Sequence, residues 1–243
     1  MIPQTPTGST EPGPELRPTA LPERMLERLR RYAGVWLDRN WTIRLHQESN
    51  VPAHGPVILA ANHIGWLDGP LLFLKSPRPA HSLVKRELYV GKTGRMLKAT
   101  AQIPVNRTGT DIGALRTAAE ALLADQVVTI YPEGRRGAGE YASIKGGVAW
   151  LALVTGAPVV PVSIFGTRPA GADKETRPAK GVEIDAVYGE PITFSKVPWP
   201  RTTQDIGTAT ETILNHLREQ LAAAKELTGR ELPGPLPKAV IHG

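Results

Sequence analysis

Short apolar runs that each close on a polar motif constrain this chain more than any other feature. Val57–Ala61 ends at Asn62-His63, Val127–Tyr131 ends at Pro132-Glu133-Gly134, and Val159–Phe165 ends at Gly166-Thr167. Runs this short, with no polar alternation, suit strands buried on both faces. Between them the spacing switches to the helical period. Ile112, Leu115, Ala119, Leu122 and Leu123 fall on one helix face, and Lys145–Thr155 reads as a helix. Upstream, Leu21, Met25, Leu26, Leu29, Tyr32, Ala33, Trp36 and Leu37 form a helical stripe, with Arg24, Glu27, Arg28 and Arg31 off it. Trp41, Ile43 and Leu45 alternate as a half-buried strand, and Ser82–Lys85, Ile103–Val105 and Val182–Val187 complete the strand set. Thr202 and Asp205 stand at capping-box spacing ahead of Ile206, Ile213, Leu214, Leu217 and Leu221, and Gly229 stops that helix. Strands alternating with helices predict one α/β domain with a mostly parallel central sheet flanked by helices. In such sheets the chemistry lies just beyond the strand carboxyl ends, which is where the polar motifs fall.

The stretch from Gly146 to Gly166 carries no charge and has the length of a membrane span, but Gly156, Pro158 and Pro161 interrupt it. It reads as a buried helix, a turn and a buried strand, so no transmembrane segment is expected. Residues 1–20 hold five prolines among Thr, Ser and Gly and are expected to be disordered. Residues 21–40 are expected to form an amphipathic helix that either associates with a membrane or packs on the sheet, and residues 229–243 a Pro-rich irregular tail. The polar start of the chain shows no secretory signal. With no cysteine, thiolate nucleophiles, disulfides and Cys-zinc sites are excluded. The net charge of +6 favours anionic partners. It is concentrated: Lys75 to Arg107 holds eight Lys/Arg and one acid, Glu87.

Asn62-His63-Ile64-Gly65-Trp66-Leu67-Asp68 is the first motif that can carry chemistry. On one continuous helix, positions five apart point about 140° away from each other. His63 and Asp68 therefore meet only if the chain turns between them, and Gly65 allows that turn. If they meet, Asp68 bonds one ring nitrogen and leaves the other as a base. The competing reading is an ordinary histidine beside a helix start capped by Asp68. The second motif is Tyr131-Pro132-Glu133-Gly134-Arg135-Arg136-Gly137, a hydroxyl acceptor beside phosphate donors, or else a charged loop of Glu–Arg pairs. Lys85-Arg86 and Asn106-Arg107 follow two further strands and can converge on one phosphate, or simply be solvated. In Val160-Pro161-Val162 the proline suits an interior strand only where no donated hydrogen bond is needed.

These motifs, in this order and over Asn50 to Thr167, resemble the glycerolipid acyltransferase superfamily and, within it, the lysophosphatidic acid acyltransferases. The resemblance implies a glycerol-3-phosphate-acyltransferase-like domain over residues 41–228. It implies His63 as catalytic base and Asp68 as its orienting acid. Arg107 matches the arginine that binds the acceptor phosphate, and Lys85 a basic position ahead of it. Glu133 and Gly134 match the acidic loop that positions the glycerol part, Arg136 that loop's arginine, and Lys145 the Lys-x-Gly segment after it. Two departures make the acceptor pocket more basic. Val105-Asn106-Arg107 stands where the family has Ile-Asp-Arg, and Arg135 where its acidic loop has Thr.

The reaction implied is transfer of a fatty acyl group from acyl-CoA or acyl carrier protein, as cosubstrate, to the free hydroxyl of 1-acylglycerol 3-phosphate. No cofactor or metal is expected. The partners are the thioester donor, the lysophospholipid acceptor and a membrane surface, with the enzyme peripheral on the cytoplasmic face of the cell membrane. A transacylase or an enzyme with a non-phosphate acceptor stays open, as does a non-catalytic lipid- or nucleic-acid-binding module. Aromatics at 5% and the lack of any nucleic-acid-binding motif argue against nucleic acid.

Overall fold

The computed structural model describes residues 15–199 and 201–237. Six helices are present among them: α1 (Arg24–Asn40), α2 (Asp68–Lys75), α3 (Gly91–Ala99), α4 (Ile112–Leu123), α5 (Gly147–Thr155) and α6 (Thr203–Thr228). Seven strands form one sheet: β1 (Thr42–His46), β2 (Val57–Ala61), β3 (Ala80–Lys85), β4 (Ile103–Val105), β5 (Val127–Ile130), β6 (Val159–Phe165) and β7 (Glu183–Tyr188). Their order is β1-β7-β6-β2-β5-β3-β4. The block from β6 to β4 is parallel throughout. β7 runs antiparallel to β6, and β1 is parallel to β7. The mostly parallel α/β architecture is therefore as the sequence implies.

β2 is central, and all five of its residues are buried. Ile58 and Ala60 belong to the core under α4, α5 and α6, while Val57, Leu59 and Ala61 belong to the core under α1 and α2. Opposite faces of one strand thus serve two cores, which is why the run shows no alternation of polarity. The charge-free stretch resolves into α5, a left-handed Gly156 at its C-cap, and β6. No helix among the described residues is long and apolar enough to cross a membrane.

Pro161 lies in mid-strand in β6. Its carbonyl accepts from Gly189 N at 2.9 Å. A strand residue points its nitrogen to the same side as its carbonyl, so the ring faces the gap between the Val162–Tyr188 pair and the Val159–Ile192 bridge. No ladder bond is lost there.

α1 begins three residues later than the apolar stripe suggests. The Gln126 side chain accepts from Leu21 N at 2.7 Å and donates to Leu21 O at 2.8 Å, which holds Leu21 outside the helix. Within α1, Leu26 and Leu37 are buried, while Met25, Tyr32, Val35 and Trp36 are exposed. At the other end of the chain, α6 starts on the Thr202/Asp205 capping box and stops on left-handed Gly229. The described part of the segment after it, residues 230–237, carries no helix or strand, yet it is held down. Arg230 pairs with Asp185 and Glu183, and Leu232 packs against the core.

Candidate active site

Topology brings the motifs together. β2 lies between β5 and β6, and the loops leaving these three parallel neighbours emerge within about two strand spacings, roughly 10 Å. The first carries His63, the second Glu133 and the third Thr167-Arg168.

The histidine loop is organised by Asp68, which is fully buried at the first residue of α2. Its Oδ2 lies 2.7 Å from His63 Nδ1 and accepts from Ile64 N at 2.7 Å and Gly65 N at 2.8 Å. Its Oδ1 accepts from the Thr167 hydroxyl. A carboxylate only accepts, so Nδ1 carries the hydrogen of the imidazole bond and Nε2 is left with its lone pair. The side chains of His63 and Asp68 thus face each other across the loop–helix junction. The helix-cap alternative is not what the structure shows: Asp68 is the first residue of α2 and caps none of its N–H groups, and its carboxylate instead ties down the loop amides of Ile64 and Gly65 while orienting the imidazole.

Gly65 serves this turn for a different reason than conformational freedom. It is absent from the left-handed positions. A Cβ there would lie 2.5 Å from the Thr167 carbonyl oxygen, so the residue must be glycine for close approach. The imidazole is partly exposed, at 22% of its side chain. Its other face stacks on Tyr131, with ring centroids 4.2 Å apart and 24° between planes. Burial, and then the Asp68 charge, push the Tyr131 hydroxyl well above its usual pKa, so it stays neutral.

The acidic loop sits directly against His63. Glu133 Oε1 accepts from His63 N at 3.3 Å, and Gly137 N donates to His63 O at 2.8 Å. Burial raises the Glu133 pKa to about 7, partly opposed by the His63 backbone N–H. Gly134 is left-handed, and a Cβ on it would meet the Lys145 side chain 2.8 Å away. Arg107 Nη1 donates to Gly134 O at 3.1 Å. Arg107, Gly134 and Lys145 are therefore gathered at one spot beside Glu133.

The other basic residues do not join that cluster. Arg136 turns towards the loop after β6, where it donates to Glu175 at 2.6 and 3.1 Å and to Lys174 O at 2.8 Å. Lys85, at the end of β3, acts electrostatically on the same Glu175. Arg135 is exposed. A surface hollow of about 450 Å³ lies beside Arg107, lined by Arg86, Asn106, Thr108 and Asp111 among others, but His63 does not line it.

Sequence reasoning passed over two residues that build the site. Asn62 pairs its side-chain amide with the Ile164 backbone, donating at 3.1 Å and accepting at 2.8 Å, and so extends the β2–β6 ladder. Arg168, 2% exposed, donates only to carbonyls. Its acceptors are Ile64 O at 2.8 Å, Ala172 O at 2.7 Å, Gly137 O at 2.9 Å and Gly234 O at 2.6 Å. The signal was its position just past the end of β6, the same rule that picked out His63 and Glu133.

The sequence matches the family described as Acyltransferase over residues 42–165, just over half the chain. That span runs from β1 to the end of β6. Among solved structures the chain is similar to the 1-acyl-sn-glycerophosphate (LPA) acyltransferase PlsC from Thermotoga maritima. The TM-score is 0.60 at 23% identity, over 84% of this chain and 79% of that one. At that identity the likeness speaks for the fold. No curated protein matches the sequence.

Proposed function

Because this chain belongs to the acyltransferase family, we propose that it moves a fatty acyl group from acyl-CoA or acyl carrier protein to the free hydroxyl of 1-acylglycerol 3-phosphate, giving phosphatidic acid. The observation that carries this reading is the 2.7 Å contact between His63 Nδ1 and buried Asp68 at the end of the central strand. It leaves Nε2 as the base. The solved relative of similar fold is a 1-acyl-sn-glycerophosphate acyltransferase, which supports the choice of acceptor.

In this reading the acceptor hydroxyl gives its proton to Nε2 as its oxygen bonds to the thioester carbonyl carbon. The tetrahedral intermediate collapses, the C–S bond breaks, and the imidazolium returns the proton to the leaving thiolate. Asp68 stabilises the imidazolium between these steps. Arg107, Lys145 and, once released from Glu175, Arg136 hold the acceptor phosphate, with Lys85 and Arg135 adding positive potential. Glu133 and Gly134 position the glycerol part, so the hydroxyl is presented in a near-attack arrangement. The enzyme works at the cytoplasmic face of the membrane as a peripheral protein. α1 supports this, with exposed Met25, Tyr32, Val35 and Trp36 beside exposed Arg24, Arg28, Arg31 and Arg39.

One observation favours a second acceptor class. Glu175 already neutralises Arg136, which suits a polar acceptor without a phosphate. An in vitro assay that crosses acyl-CoA and acyl carrier protein thioesters with lysophosphatidic acid, glycerol 3-phosphate and neutral lysolipids separates the two. Turnover is expected on lysophosphatidic acid and should drop about 10²–10⁴-fold in His63→Ala. Near-normal turnover by that variant, folded as judged by circular dichroism, removes His63 from the role of base.

A further inference from the structure

A second patch of mixed cationic and apolar side chains lies towards the edge of the sheet opposite the C-terminal end of α1. The segment from Lys85 to Lys98 leaves β3 at its carboxyl end, forms a 3-10 turn at Arg86–Leu88, and continues into α3. Leu88 is 40%, Val90 70% and Met96 38% exposed. Arg86, Lys92, Arg95 and Lys98 are exposed among them. None of these cations is in an ion pair among the described residues. Gly94 packs so closely on the Tyr89 backbone that α3 is folded back against its own entry turn, which leaves Val90 at the outer corner.

The sheet relates this patch to α1. β7 is antiparallel to β6 and β1 follows β7, so β1 begins at the end of the sheet where β6 finishes. The C-terminal half of α1, with Tyr32, Val35 and Trp36, leads into that beginning, and Gly181 N donates to Asn40 O there. The Trp41 indole donates to Pro178 O, in the loop after β6. α1 therefore reaches the reactive end of the sheet at the β1 edge, and the Lys85–Lys98 segment does so near the β4 edge. β2 is the fourth of the seven strands. His63 thus stands between the two patches, with roughly 15 Å of sheet on either side.

We propose that the protein rests on an anionic bilayer through both patches at once, the Lys85–Lys98 segment being a docking surface separate from α1, with the His63 opening facing the lipid between them. The inference builds on the lipid acceptor proposed above. The partner is chosen by chemistry. Unpaired cations meet acidic headgroups, each contributing roughly fivefold in partitioning near such a surface. Leu88, Val90 and Met96 have nothing to gain from a polyphosphate backbone but lose water on entering the headgroup–acyl boundary.

The test is vesicle co-sedimentation of the full chain, using pure phosphatidylcholine and mixed phosphatidylcholine–phosphatidylglycerol vesicles. Two triple variants are compared with the wild type: Lys92→Gln with Arg95→Gln and Lys98→Gln, and Leu88→Ser with Val90→Ser and Met96→Ser. The charge variant should bind the mixed vesicles about tenfold or more weakly and with reduced salt sensitivity, and the apolar variant should weaken binding to both kinds. All six sites are exposed or half-exposed, so thermal unfolding should match the wild type. Wild-type partitioning by both variants overturns the proposal. So does slowed amide exchange on vesicles that is confined to α1. Neither readout needs turnover. If lysophosphatidic acid is not acylated but the variants still bind weakly, the acceptor assignment fails and the docking surface stands.

Discussion

Glu133 is the residue whose chemistry is set most plainly by its surroundings. Burial against His63 raises its pKa to about 7 from 4.5. The unfolded chain therefore binds fewer protons than the fold between about pH 4.5 and 7, and stability falls as pH rises through that window. Glu133→Gln keeps an acceptor for His63 N without the buried charge. Its melting temperature should exceed that of the wild type at pH 8 and converge with it near pH 4.5. A constant difference across the range would show that the carboxyl is not held in its neutral form. At this scale the sequence was legible for residue types and only partly for partners. The spacing of His63 and Asp68 posed their meeting as a question, because five residues along a helix would have kept them apart. Arg136 was read as a phosphate ligand, but its guanidinium lies on Glu175, about forty residues away in the chain. Such long-range pairing has no local periodicity to betray it.

Single elements were easiest to read where backbone chemistry marks their ends. Thr202 and Asp205 satisfy each other's orphan donors in the complete capping box of α6, with Thr202 Oγ1 accepting from Asp205 N at 3.0 Å and Asp205 Oδ2 from Thr202 N at 2.8 Å. The Thr202 backbone N–H and then its hydroxyl, both donating to the Asp205 carboxylate, hold that carboxyl below its usual range. α6 covers one face of the sheet through Ile213, Leu217 and Leu221, so losing its cap is felt by the whole domain. Thr202→Ala should cost about 1 kcal/mol in urea unfolding, with acyl transfer little changed. α1 was less legible. Its stripe marks an amphipathic helix but not how the apolar side chains divide between core and surface. Leu26 and Leu37 are turned inward and Tyr32 and Trp36 outward.

For the molecule as a whole, the alternation of strands and helices was enough to imply a parallel α/β sheet. It did not reveal the reversal of β7, because strand direction leaves no mark on composition. Nor did it reveal that the Pro-rich tail is drawn into the site. Arg168 joins the histidine loop, the acidic loop, the loop after β6 and the tail at Gly234 through carbonyls alone. Lysine presents a point charge instead of a fork. Arg168→Lys should therefore lose about 2–4 kcal/mol of stability as buried carbonyls go unpaired, and should lower acyl transfer by loosening both loops around His63. Urea unfolding together with a steady-state assay measures both. Unchanged stability would mean that the four segments are held together without the guanidinium.

Pro161 has a bearing on this assembly that reaches beyond its own strand. Were β7 to slide along β6, a peptide oxygen would be set against a ring with no hydrogen to offer. The proline thus works as an index pin, admitting one alignment of the two strands. That alignment seats Phe165 beside Asp185, brings the tight bend at Gly166 against Glu183, and so aims the Thr167 hydroxyl at Asp68. A ring with no N–H to offer in mid-sheet ends by steering the direction in which an imidazole points.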